Sequence, residues 1–245
     1  MEKGVFRFKQ FSCQHYGSSM RIGVDAVLLG AWAKVDGGRV LDVGTGCGVI
    51  ALMCAQRNTD AIIDAIDTDA ASVEEASTNF TASPWADRLH VFHENYLNFK
   101  PAYRYDRIVS NPPYFNSGVD SEVSVRMHAR HEGDLSPMTL LLHSRELLSP
   151  TGTVSMIVPY LRADEIIADA ASAGFTLICR LDVRGNASAP LKRSLLEFSL
   201  KYYCENICSG NNSNLYKEDL LTLEISSTVP TADYKNLCKE FYLYF

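Results

Sequence analysis

The segment Arg39-Val-Leu-Asp-Val-Gly-Thr-Gly-Cys-Gly-Val-Ile50 decides the fold of this chain. A short apolar run leads directly into glycines at three alternate positions, Gly44, Gly46 and Gly48, and a helical stretch follows. Glycines let the backbone approach a ligand closely, and open α/β sheets bind their cofactors at the carboxyl ends of strands. The segment therefore predicts a nucleotide-type cofactor loop. It does not complete the NAD-binding fingerprint, because Val49 stands where that pattern has its third glycine or alanine.

The middle of the chain alternates between strand-like and helix-like segments. The predicted strands are 39–43, 61–67, 88–92, 105–110 and 152–158, and the predicted helices are 24–35, 48–57, 70–80, 137–148 and 160–173. This alternation indicates a parallel sheet with helices on both faces. Two strands in succession, 175–183 and 194–203, predict an antiparallel hairpin, and 232–245 predicts a terminal helix. We expect one α/β domain over 1–245, with 1–38 as an N-terminal extension that borders the site.

Asp67 ends the second predicted strand, nineteen residues after Gly48. A carboxylate in this place of a nucleotide-binding sheet accepts both hydroxyls of a ribose. The structural alternative is that Asp67 caps the following helix, a role that Asp69 fills equally well. With the glycine loop upstream, we favour the ribose role.

The tetrapeptide Asn111-Pro-Pro-Tyr114 follows the apolar strand 105–110. A planar amine such as N6 of adenine is a poor nucleophile because its lone pair is delocalised, so a site that methylates it must hold it with acceptors. The side-chain oxygen of Asn111 and the carbonyl of Pro112 would each accept one N–H, while Tyr114 stacks on the ring. Pro112 and Pro113 fix φ and remove two competing donors. The motif predicts methyl transfer to a planar nitrogen; a rigid Pro-Pro turn is the structural alternative.

The glycine loop, read together with this motif, resembles the class I S-adenosylmethionine (SAM) methyltransferases. The resemblance implies a Rossmann-like parallel sheet that ends in an antiparallel hairpin, and SAM as the cofactor. It also implies cofactor contacts from a set of residues at the strand ends: Asp42, Gly44, Gly46, Gly48 and Asp67. Asn95 follows the third strand, where many of these enzymes have an acid that binds the adenine amine, and its amide would meet the adenine edge instead.

The N-terminal part narrows the family. Phe8-Lys-Gln-Phe11 and Met20-Arg-Ile-Gly-Val-Asp-Ala-Val-Leu-Leu-Gly-Ala-Trp32 precede the glycine loop, and Ala129-Arg-His131, Lys192-Arg193 and Phe241-Tyr-Leu follow it. Together these segments resemble the bacterial tRNA(Val) adenine N6-methyltransferases over nearly the whole chain. The resemblance implies tRNA as the substrate, modified at the adenine next to the anticodon. In related enzymes an N-terminal segment borders the methionine end of the cofactor, which would place Asp25 there; capping of the helix after it is the alternative.

The distribution of charge qualifies the RNA interpretation. The net charge of −6 argues mildly against a nucleic-acid partner, since binding to phosphates needs local Lys and Arg. Residues 1–23 nevertheless carry a net charge of +3, and Arg126, Arg130 and His131 follow the Asn-Pro-Pro-Tyr motif. We expect these residues to contact RNA. A solvated charged loop is the alternative.

The composition argues against a disulfide-rich, metal-binding or membrane protein. The seven cysteines are an odd number without Cys-x-x-Cys spacing, which predicts reduced thiols and no metal site. No apolar stretch approaches eighteen residues and the N-terminus is charged, so we expect a cytoplasmic protein without a membrane segment or an obligate protein partner.

Two alternatives to an RNA methyltransferase remain open. The first acts on another planar nitrogen, either a protein glutamine amide or a DNA adenine, and the second is a non-catalytic SAM-binding protein. A glutamine methyltransferase would be expected to carry an N-terminal recognition domain, and 38 residues before the first predicted strand are too few for one.

Overall fold

The computed structural model describes residues 4–17, 21–113, 135–201 and 216–245. In these ranges the strands are β1 Val5–Arg7, β2 Ser12–Gln14, β3 Arg39–Val43, β4 Ile62–Asp67, β5 Leu89–His93, β6 Tyr105–Ser110, β7 Leu148–Pro159, β8 Phe175–Arg184, β9 Leu191–Leu200, β10 Lys217–Thr222, β11 Glu224–Ser226 and β12 Val229–Pro230. The α-helices are α1 Val24–Trp32, α2 Val49–Arg57, α3 Ala70–Thr81, α4 Pro137–Leu147, α5 Tyr160–Ser172 and α6 Ala232–Cys238. Short 3-10 helices span Ala86–Arg88 and Tyr96–Asn98.

A central sheet of eight strands has the order β10-β8-β9-β7-β6-β3-β4-β5. The strands from β7 to β5 in this order pair in parallel, whereas β9 runs antiparallel to both β7 and β8. This arrangement confirms the predicted parallel α/β sheet with an antiparallel hairpin toward the C-terminus. The chain moves outward from β3 through β4 to β5 and then returns to β6 on the other side of β3. The topological switch point, where such sheets bind ligands, therefore lies at the carboxyl ends of β3 and β6.

Apolar side chains fill both faces of the sheet. Along β3, Val40 belongs to the cluster that includes the buried residues of α1 and α2, whereas Leu41 and Val43 belong to the cluster formed with α4 and α5. A strand that is covered on both faces has a nearly continuous apolar sequence. This double burial explains why the run before the glycine loop was a strong strand signal.

Several predicted elements needed correction: α1 ends at Trp32 and β7 begins at Leu148. Helix α6 ends at Cys238, because the chain then turns and places Phe241 in the core, with Phe245 against the rings of Tyr234 and Tyr242. The second hairpin strand is Leu191–Leu200 and begins three residues before the predicted one. Strand β10 was not predicted, since only Leu221 of its six residues is buried and its sequence lacks a regular apolar pattern.

Within the described ranges, no helix combines the length and apolar character needed to cross a membrane.

Candidate active site

A cavity of about 620 Å³ opens at the switch point, beyond the carboxyl ends of β3, β4 and β6. It is lined by segments that lie far apart in the sequence: the glycine loop, Asp67–Asp69, Glu94–Leu97, Asn111 with Pro113, and Arg21–Ala26 before and within α1. Arg193 from the start of β9 completes one wall. The fold thus brings the cofactor loop and the Asn-Pro-Pro segment predicted from the sequence into one cavity.

The backbone of the glycine loop is left-handed at each glycine, with φ of +70° at Gly44, +54° at Gly46 and +83° at Gly48. Residues with a side chain rarely adopt this conformation, which explains the alternate glycines. Gly44 and Gly46 line the cavity, but Gly48 does not. A Cβ at Gly48 would lie 2.5 Å from the Phe80 ring, so this glycine permits α2 to pack against α3. Packing therefore accounts for Gly48, and the cofactor contact expected for it from the sequence stays a prediction.

Asp67 lies in the cavity wall and supports the loop. Its Oδ2 accepts a hydrogen bond from the Gly46 amide at 2.8 Å, and its Oδ1 accepts from the Asp69 amide at 2.9 Å. Helix α3 is capped by Asp69, whose carboxylate accepts from the amides of Ala71 and Ser72. The capping alternative for Asp67 is therefore wrong. Each oxygen of a carboxylate has two lone pairs, so Asp67 can accept further hydrogen bonds from a ligand.

Asp42 does not line the cavity and lies fully buried behind the loop. Its Oδ2 accepts from the Thr45 hydroxyl at 2.7 Å and from the Ala51 amide at 3.1 Å, while Oδ1 has no hydrogen-bond partner among the described residues. Burial raises the pKa of Asp42 to about 7, and the negative charge of Asp67 acts in the same direction. These contacts make Asp42 a positioning residue that ties β3 to the loop and to α2, and the cofactor contact expected for it from the sequence stays a prediction.

Asn95 also lies in the cavity wall, at the N-terminus of the short helix Tyr96–Asn98. Its Oδ1 accepts from the Leu97 amide at 2.9 Å, which directs the side-chain nitrogen away from that bond. Sequence reasoning missed the apolar residues of the wall, among them Ile50, Ile66 and Leu97. No sequence signal distinguishes them, because apolar residues at element ends look like ordinary core residues.

Asn111 and Pro113 line the cavity, whereas Pro112 is buried beside it. The preceding Ser110 donates its hydroxyl hydrogen to the Val43 carbonyl at 2.8 Å. This bond fastens the end of β6 to the end of β3, where the glycine loop begins. Four other predicted site residues lie outside the described residues: Tyr114, Arg126, Arg130 and His131.

Asp25 makes an ion pair that was not part of either role expected from the sequence, a place beside the cofactor or capping of α1. Helix α1 begins at Val24 after Gly23 and has no side-chain cap, so the capping role is wrong. The side chain lies in the cavity wall, where Oδ2 accepts from Nε of Arg193 at 2.7 Å. Sequence reasoning missed this ion pair because 168 residues separate its partners.

The described residues contain no group of three or more His, Cys, Asp or Glu side chains that could hold a metal ion.

This fold and this site define a class I methyltransferase. Residues 22–159, more than half of the chain, match the methyltransferase small domain family, and the chain belongs to that family. A curated relative from Vibrio vulnificus (strain YJ016) is 39% identical over 97% of this chain and 95% of its own length. Another, from Bacteroides fragilis (strain ATCC 25285), is 38% identical over 99% of both chains. Both relatives are named tRNA1(Val) (adenine(37)-N6)-methyltransferase, and the chain belongs to the family of these enzymes.

Solved structures of more distant proteins share the fold. A "predicted O-methyltransferase" from Agrobacterium tumefaciens superposes with a TM-score of 0.62 at 18% identity, covering 89% of this chain and 96% of that chain. The glycopeptide N-methyltransferase MtfA in complex with sinefungin gives 0.55 at 13% identity, with 77% and 91% covered. At these identities the likeness concerns the fold alone. Together with the family assignment, it confirms the fold class and the SAM-dependent methyltransferase assignment made from the sequence.

Proposed function

We propose that this protein transfers the methyl group of SAM to the exocyclic N6 of an adenine in tRNA, adenine 37 of tRNA(Val). The observation that carries this function is the single cavity shared by the glycine loop, Asp67 and Asn111. The names of the relatives supply the tRNA and the position within it. We further propose that residues 1–245 act as one catalytic domain in the cytoplasm.

The residues of the cavity fit SAM. The carboxylate of Asp67 keeps acceptor capacity for two ribose hydroxyls, and Gly44 and Gly46 let a ligand approach the backbone. Leu97, with 37% of its surface exposed, and Ile66 offer apolar contacts for a purine ring, and Asn95 has an amide for its edge. SAM carries no phosphate, and this loop accordingly contributes no basic side chain.

Bound SAM would supply a methyl group on a positively charged sulfur. The protein's task is then to present the amine in a reactive geometry. The Asn111 side-chain oxygen and the Pro112 carbonyl accept the two N–H groups of the adenine amine, which favours a pyramidal nitrogen with its lone pair aimed at the methyl group. Pro112 and Pro113 hold this backbone rigid and add no competing donor. Tyr114 is proposed to stack on the base, as flipped bases stack on aromatic side chains.

The test is to incubate the protein with methyl-labelled SAM and, in separate reactions, with total tRNA, release factor and duplex DNA. Digestion and chromatography then identify the labelled product. We expect N6-methyladenosine from tRNA alone, and the Asn111→Ala variant should abolish most of the label while it still binds SAM. Label in glutamine or in DNA would instead support the alternative substrates, and SAM binding without any transfer would support a non-catalytic protein.

A further inference from the structure

We propose that the end of the β8–β9 hairpin beside the cavity binds the phosphates of the RNA strand that carries the target adenine. This hairpin surface consists of Arg184, Lys192 and Arg193, with the turn 185–190 between them. The inference rests on the proposed function, since it names how the RNA reaches the site.

The position of the surface follows from the sheet. Arg193 pairs with Pro159 at the end of β7, and β7 pairs with β6, which ends beside Asn111. Two inter-strand spacings, together about 10 Å, separate β9 from β6 across the sheet, and Arg193 lies about three residues farther toward the carboxyl edge than Ser110, since Ser110 pairs with Met156 and Arg193 with Pro159. Arg184 faces Leu191 across the hairpin, so it lies close to Lys192. A strand with its base at Asn111 can extend along this edge over the hairpin.

The charge of the surface suits a polyanion. Arg184 donates to the Thr222 hydroxyl and to the Ala187 carbonyl, both neutral acceptors, and Lys192 is exposed. Neither forms an ion pair with another described residue, unlike the nearby Arg180, which contacts Asp164 and Asp182. The turn 185–190 contains no acid, and 186–188 are small or polar and exposed. The turn itself therefore places no negative or bulky side chain in the way of an RNA backbone.

Asp25 gives Arg193 a fixed orientation. Nε of Arg193 donates to Asp25 at 2.7 Å, and Nη1 donates to the Lys192 carbonyl at 3.0 Å. These two bonds fix the plane of the guanidinium, a group whose planar geometry matches a phosphate. Asp25 therefore positions a substrate-binding residue, a role that differs from both roles expected for it from the sequence.

The surface is tested by a salt titration of tRNA binding to the full-length protein. The variants are Lys192→Gln and Lys192→Gln/Arg184→Gln, which remove charge and keep side-chain length. Each lost phosphate contact should flatten the dependence of log affinity on log salt by about 0.7–0.9, so the double variant should lose about 1.4–1.8. The KM for tRNA should rise about tenfold for the double variant. The Kd for SAM, measured by calorimetry, should stay at the wild-type value.

The matched control is Lys217→Gln/Lys201→Gln, which removes the same charge at the opposite edge of the sheet, where β10 begins and β9 ends. Lys217 begins β10 at the amino edge of the sheet, and its neighbour Asp219 is 3.6 Å away. If the control and the hairpin variants have equal slopes, or if SAM binding weakens with the hairpin variants, the proposal is refuted. Lys192 is exposed, so the single Lys192→Gln variant should fold normally. It keeps the test valid even if the double variant is unstable.

Binding and methylation separate this inference from the proposed function. Methylation of tRNA by the wild type, with identical salt slopes in all variants, would refute the surface alone. A slope difference without any methylation would support the surface and refute the catalytic proposal.

Discussion

Asp42 should make the stability of this protein fall as the pH rises from about 4 to about 7. Its carboxyl is fully buried, and its pKa in the folded protein is raised from 3.8 to about 7, mainly by burial. Because the folded state binds this proton more tightly than the unfolded state does, the group contributes most to stability below the unfolded pKa. That contribution is lost as the pH rises from about 4 to about 7. A difference of about three pKa units corresponds to about 4 kcal/mol in the free energy of unfolding.

The informative variant is Asp42→Asn, which keeps an oxygen to accept from Thr45 and Ala51 and removes the charge. We expect the difference in the free energy of unfolding, variant minus wild type, to rise by up to about 4 kcal/mol between pH 4 and pH 8. Urea unfolding at several pH values measures this difference, and a ¹³C titration of the carboxyl group measures the pKa directly. Asp87→Asn, which removes an exposed acid, is the control.

A difference between variant and wild type that does not change with pH would refute the reasoning. So would a carboxyl signal of Asp42 that titrates near pH 4, because it would mean that water or structural relaxation solvates the buried group.

Three further predictions concern the cavity. Asp67→Ala should weaken the binding of SAM and S-adenosylhomocysteine alike by about a hundredfold, since about 3 kcal/mol is the scale of one or two lost charge-assisted hydrogen bonds. A Kd within twofold of the wild-type value, measured by calorimetry, would contradict the ribose role. Asn111→Ala should cost about 3 kcal/mol in turnover, the scale for losing one preorganised polar contact, with an unchanged Kd for SAM; full turnover would remove Asn111 from the reaction. Asp25→Asn should raise the KM for tRNA by disorienting Arg193 while the Kd for SAM is kept, so a selective loss of SAM affinity would instead restore the cofactor role expected from the sequence.

Local sequence patterns were sufficient for most of the fold. Strands buried on both faces have apolar runs, and Gly44 and Gly46 indicate a left-handed backbone conformation that residues with side chains rarely adopt. Edge strand β10 escaped prediction because one face and one edge of it meet solvent, so Lys217, Glu218 and Asp219 are tolerated there. The C-terminal helix was predicted too long because apolar residues after Cys238, such as Phe241, are buried in the core without being helical.

By itself, the sequence determined the class of this protein, its cofactor loop and its Asn-Pro-Pro segment, because these features depend on residues that are adjacent in the chain. Only the tertiary structure decided which of the predicted residues line the cavity. Asp42 is the last but one residue of β3 and Asp67 is the last residue of β4, but Asp42 lies behind the loop and Asp67 lies in the cavity wall. The pairing of Asp25 with Arg193 depends on the register of β9, and a contact across 168 residues leaves no local pattern in the sequence.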